Sequence, residues 1–217
     1  INAMAIELQI DNSRLTMNRL VDPFSGLKDL KQKIATKACN KQDVFGVTKE
    51  VFKDVKVVLS EVCNELRDDF SAKDMRIALE VDTKGEFEAR ITMAGDTVLF
   101  HMHTNVFSFP PSHMVHKSPY VSKQPENGYC GIINVYNFLT DSYRYHRMND
   151  SGYLVARIFV NRERHFFVEG QQQLGFLFND FATQLLDNAA IQNIIETALI
   201  HVIDFDLYTP PYQQVKE

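Results

Sequence analysis

The sequence predicts an α+β fold. A single antiparallel sheet of about six strands is expected, as a three-strand meander, a long loop and three further strands. N-terminal helices and two C-terminal helices flank it. Three observations lead there. Residues 47–70 repeat Val51, Val55, Val58, Val62 and Leu66 at helical spacing, with Phe52, Leu59 and Phe70 widening the stripe and charged residues opposite. Residues 75–109 alternate apolar and polar through two turns, the mark of half-buried strands. Strands run in a block between helices instead of alternating with them, which favours an antiparallel sheet over βαβ units.

In chain order, the opening INAM at 1–4 reads as a cloning remnant, and one domain is expected over 5–217. AIELQI (5–10) has the pattern of a short strand. SGLKDLKQKIATKACN (25–40) reads as a helix capped by Ser25, with Leu27, Leu30, Ile34 and Ala38 on one face and lysines on the solvated one. After the helix at 47–70, MRIALEVD (75–82) places Met75, Ile77, Leu79 and Val81 on one face. TKGE turns the chain into FEARITM (87–93), with Phe87, Ala89, Ile91 and Met93 inward. AGD turns it again into TVLFHMHTNVFSF (97–109). With Val98, Phe100 and Met102 toward the core, Leu99, His101, His103, Asn105 and Phe107 face away, so His101 and His103 share a side.

Residues 110–128 hold four of the seven prolines and show no periodicity, as in a long loop or lid. CGIINVYNFL (130–139), YLVARIFV (153–160) and HFFVEG (165–170) resume the strands, the last two joined by NRER as a hairpin. LGFLFNDFATQLLDN (174–188) and AAIQNIIETALIHVIDF (189–205) read as the C-terminal helices, before the tail YTPPYQQVKE. Ile191, Ile194, Ile195, Ala198, Leu199 and Val202 make a broad apolar face on the last helix, and any excess over the core would serve a homodimer. The helices are expected on one sheet face. The other would carry Arg90, His101, His103, Asn134 or Asn137, Arg157 and Glu169.

At 217 residues and 45% hydrophobic content, the chain can bury a core without staples. A net charge of −5 gives no pull toward nucleic acid or anionic membrane. SYRYHR (142–147) interleaves aromatics with basic residues as a single-strand platform would, but without an RNP-like motif it reads as a solvated link. No apolar run approaches the roughly 18 residues a membrane helix needs, and the start lacks a signal-peptide pattern. Cys39, Cys63 and Cys130 are odd in number and form no CxxC, as expected for a reducing cytoplasm.

Four of the seven histidines, His101, His103, His113 and His116, fall between Leu99 and Tyr120. An H-x-H on a strand sets two imidazoles side by side, and the following H-x-x-H could add a third ligand for Zn or Fe. Thr104 to Lys117 contains no acidic partner for them. In NGYCG (127–131), Cys130 beside Tyr129 reads either as an exposed nucleophile or as a small buried residue. Asp204 and Asp206 mark a fraying helix end, and no carboxylate pair has the setting of a general acid and base. Walker A, GxGxxG, GxSxG and HExxH patterns are all absent, so no catalytic residue is assigned. The expectation is a cytoplasmic, non-enzymatic module that binds a small molecule or a protein. Its site would be the polar sheet face closed by the 110–128 loop, with His101, His103, Tyr129, Cys130 and Arg157 as ligand-binding residues. The alternative is a metal-dependent enzyme holding Zn or Fe at His101, His103, His113 and His116.

Overall fold

The computed structural model describes residues 25–70, 74, 76–145, 147, 150 and 152–205. The chain divides into two compact units between Ala38 and Cys39. The expected remnant at 1–4, the strand at 5–10, Met75, His146, Asp206 and the tail lie outside the described residues. The described part of the first unit is helical: α1 (Ser25–Lys33) is followed by a π-helical segment (Ile34–Ala38). Leu27, Leu30 and Ile34 are 51%, 52% and 52% exposed on one face. Lys33 pairs with Asp29 at 2.7 Å across a turn.

The second unit opens with α2 (Cys39–Phe70), 32 residues long. It starts ahead of the expected Val47 because its first turns find tertiary partners. Asn40 and Val44 are buried, and Asn40 Nδ2 donates to the Glu126 carbonyl at 3.1 Å. The strands are β1 (Leu79–Asp82), β2 (Glu88–Met93), β3 (Asp96–Met102), β4 (Phe107–Ser108), β5 (Tyr129–Leu139), β6 (Tyr153–Val160) and β7 (Phe166–Gly170). They form one antiparallel sheet in the order β1-β2-β3-β5-β6-β7, with β4 pairing β5. Short helices α3 (Pro119–Lys123), α4 (Thr140–Arg144) and α5 (Gln173–Leu177) sit in the connections. The last helix is α6 (Asn188–Asp204), capped by Asp187, whose side chain accepts from the Ala190 amide at 2.8 Å. The expected α+β class is the one observed.

The stripe of α2 and the apolar face of α6 pack on the same sheet face. They meet Ala89, Ile91, Val98, Phe100, Ile133, Val135 and Val168 in one core. Phe52, Phe100 and Phe166 are its largest fully buried side chains, each contributing about 2–3 kcal/mol of transfer free energy. Phe100 occupies an inward position of β3, as its place between Val98 and Met102 predicts.

Four departures from the sequence pattern have identifiable physical causes. β1 begins at Leu79 rather than residue 75, and Ile77, expected inward, is 38% exposed. Asp74 closes a turn there by accepting from the Arg76 and Ile77 amides at 3.0 and 3.2 Å. The strand expected over 97–109 stops at Met102. His103 Nδ1 accepts from the Asn105 amide at 3.0 Å, which bends the chain out of the ladder until Phe107 pairs with Cys130. On β6 the pairings Val135↔Ala156 and Tyr136↔Leu154 leave Val155 over as a bulge. Finally, the helix expected over 174–188 shrinks to α5. Residues beyond it run along the outer edge of β7, where the Phe178 and Gln184 carbonyls accept from Val168 and Phe166 at 2.7 and 3.3 Å. An edge strand with open amides outranks the helical pattern of that segment.

Candidate ligand cleft

Register builds the floor of the site. On the sheet face turned away from α2 and α6, one cross-strand row reads Glu88, His101, Asn134, Arg157 and Glu169. Arg157 Nη2 lies 2.7 Å from Glu169 Oε2. The neighbouring row, Ile132, Phe159 and Phe167, is apolar. It joins Val115, Val121, Cys130 and Phe181 in a second buried cluster, against which Phe107, Phe109 and Tyr120 pack.

The roof over that cluster is the segment expected to be an irregular loop. It folds as a cap: a 3₁₀ turn (Met114–Lys117), then α3, then a second 3₁₀ turn (Pro125–Gly128). His113 Nδ1 accepts from the Val115 amide at 3.3 Å, and Ser118 Oγ accepts from the Tyr120 amide at 3.2 Å, so both start a helical turn. A polar knot ties the cap to the β6–β7 hairpin. Tyr120 donates to Glu163 Oε2 at 2.5 Å. Asn161 Nδ2 donates to the Tyr120 oxygen at 2.9 Å and to the Asn127 carbonyl at 3.2 Å. Asn161 Oδ1 accepts from the Glu163 and His165 amides at 2.9 and 3.0 Å. Burial, and next the Glu163 carboxylate, push the Tyr120 phenol above its ordinary range.

Between the cap and residues 175–182 lies a cleft of about 700 Å³, within the size range of small-molecule sites. Phe167 and Phe181 form its apolar side. His113, Lys117 and Ser118 stand on the cap, and Glu169 and Asp180 stand opposite. Both carboxylates are already engaged, Glu169 by Arg157 and Asp180 by the Ala182 amide at 3.2 Å and Thr183 Oγ1 at 2.5 Å. His113 stacks on Phe109 with centroids 4.4 Å apart. Because its Nδ1 is an acceptor, the neutral ring carries its proton on Nε2, which faces Glu169 Oε1 at 4.0 Å. Lys117 has no partner among the described residues. The cleft therefore offers an apolar interior, one donor imidazole and one uncommitted cation.

The residues singled out from the sequence scatter around this cleft. Arg157 borders it through Glu169, and His113 lines it. His101 holds its place in the polar row, half-buried. His103 lies in the turn after β3, edge-on to Phe107 at 4.8 Å. His116 packs under the cap and bonds through Nε2 to the Phe109 carbonyl at 3.0 Å. Three of the four imidazoles are thus used on backbone groups. Among the described residues, no three His, Cys, Asp or Glu side chains gather as a metal site. Tyr129 is half-buried at the start of β5. Phe167, Phe181, Lys117 and Ser118 were not singled out for a site. Of these only Phe181 lies in a conspicuous pattern, the Phe-rich FLFNDF (176–181), which reads equally as core.

Cys130 lies wholly inside the second cluster, and burial pushes its thiol up. Burial raises the Cys63 thiol as well, while Cys39 is exposed. In native protein, a disulfide reagent such as dithionitrobenzoate is expected to titrate Cys39 promptly and the other two only after denaturation. Prompt modification of Cys130, read by peptide mapping, would mean that the cap does not cover it.

No protein-family model matches the chain, and no curated protein or solved structure matches it significantly.

Proposed function

We propose that this chain is a binding module for a small amphipathic molecule, apolar at one end and anionic at the other, held in the cleft between the cap and residues 175–182. One observation carries the reading: an aromatic-sided cleft of about 700 Å³ in which Glu169 is paired with Arg157 and Asp180 accepts from the Ala182 amide and Thr183 hydroxyl, while Lys117 has no partner among the described residues. The apolar end would lie against Phe167 and Phe181. The anion would meet Lys117 and the Nε2 proton of His113. Ser118 serves as a helix cap, and its oxygen is occupied by the Tyr120 amide. These roles favour holding a molecule over transforming one.

Anilinonaphthalene sulfonate, an aromatic anion, is a suitable probe. Saturable binding of one molecule per chain is expected by fluorescence titration and calorimetry. Lys117→Glu should weaken it about tenfold, the worth of one well-placed charge. Ala182→Trp, at a half-buried cleft position, should occlude the site. Ile203→Glu, on α6 and outside the cleft, should leave binding unchanged. No saturable binding, or binding that ignores both cleft substitutions, would refute the reading.

A further inference from the structure

α2 and α6 leave an apolar groove beside their C-terminal turns. Val62, Leu66, Met93, Leu199, Ile200 and Ile203 line a hollow of about 310 Å³, and a neighbouring one of about 340 Å³ shares Leu66, Met93 and Ile203. Ile200 and Ile203 are 60% and 67% exposed. Adjoining apolar hollows on a surface mark an interaction site. Every charged residue lining them is acidic: Glu65, Asp69, Glu196 and Asp96. Glu65 and Asp69 have no partner among the described residues. The groove therefore suits a helix that brings an apolar stripe flanked by cations.

This chain carries such a helix. On α1 and the first residue of the π-helical segment after it, Leu27, Leu30 and Ile34 form an exposed stripe. Lys28 and Lys31 flank it on one side, and the first unit adds Lys33 and Lys37 against the single acid Asp29 in the described segment. The stripe from Leu27 to Ile34 is about 10 Å long, and Val62 to Asp69 on α2 covers the same rise. Apolar shape, length and charge all match.

We infer that α1 of a second copy of this chain seats in the groove between α2 and α6. Its leucines lie on Leu66, Ile200 and Ile203, and its lysines meet Glu65, Asp69 and Glu196. Exchange in both directions makes an isologous, closed two-fold dimer. Because the contact joins oppositely charged rims, added salt loosens it.

Sedimentation equilibrium of the full chain tests this. The expected mass is twice the 25.0 kDa of one chain, with a dissociation constant that rises with salt. Leu30→Glu and Ile203→Glu change exposed residues, so circular dichroism should match the parent, and so should the melting temperature at concentrations low enough for the parent to be monomeric. Each should weaken the dimer by about 100-fold, as expected for a charge set into an apolar contact. A mixture of the two variants should associate more tightly than either alone, because one intact helix–groove pair survives in the heterodimer. Lys31→Glu should weaken the dimer, and Glu65→Lys with Asp69→Lys should restore it. A mass of 25.0 kDa at every concentration would overturn the inference, as would a dimer indifferent to Leu30→Glu.

Discussion

Asn161→Ala is expected to lower the free energy of unfolding by about 4 kcal/mol, a large effect for one polar side chain. Asn161 is fully buried, and its amide group makes four hydrogen bonds. Truncation leaves the Glu163 and His165 amides without acceptors and takes a donor from Tyr120 and from the Asn127 carbonyl. Each buried group left unsatisfied costs on the order of 1–3 kcal/mol, and the sum falls short of additivity because the turn relaxes. The loss should begin in the cap. Hydrogen exchange is expected to quicken at residues 114–128 before α2 or the central strands respond, because Asn161 holds the cap and not the main core. Uniform exchange across the unit, or a loss below about 1 kcal/mol, would show that the apolar cluster alone holds the cap.

The same knot sets a pH dependence. The Tyr120 phenol is raised, by burial first and by Glu163 next. A group raised in the folded state contributes stability that is complete below its unfolded value, 10.0 here, and is lost as pH climbs through the folded one. The cap should therefore loosen only in strong alkali. Tyr120→Phe, followed by urea unfolding across that range, should remove this dependence.

The second large effect is Gly131→Ala. A Cβ at Gly131 would sit 2.0 Å from Thr48 Oγ1, 2.7 Å from its Cγ2 and 2.8 Å from its Cβ. Here α2 crosses β5 with no room for a methyl group. Thr48 is fully buried and bonded to the Val44 carbonyl at 2.7 Å, so it cannot turn away freely. Overpacking of this kind costs about 3 kcal/mol or more, because helix and sheet must separate. Thr48→Ala removes the two closest contacts and leaves the one at 2.8 Å. In the double variant it should recover most, but not all, of the loss. A coupling of about 2 kcal/mol in the cycle is expected. Thr48→Ser, which keeps the hydroxyl, should recover less. Additive effects of the two substitutions would place the helix farther from the strand.

The polar row shows how far local pattern reaches. That His101, Arg157 and Glu169 face away from the core follows from period-two alternation. That they line up with Glu88 and Asn134 follows only from register. Similarly, Lys117 and Phe181 stand far apart in sequence, and nothing local to either marks them as two walls of one cleft. The roles of the histidines show the same limit. Residue type and spacing suggested coordination, while His103, His113 and His116 serve as hydrogen-bonding partners for nearby backbone.

The sequence by itself determined the α+β class, the stripes of α2 and α6, and the inward sets Ala89, Ile91 and Met93 and Val98, Phe100 and Met102. Those features rest on periodicity within one element, and hydrophobic burial selects the face whatever the neighbours are. The tertiary structure alone decided that residues 114–128 pack as a cap over the second cluster, and that the chain after α5 follows β7 instead of staying helical. At those places the competing local conformations differ by about a kilocalorie, so hydrogen-bonding partners far along the chain settle the choice.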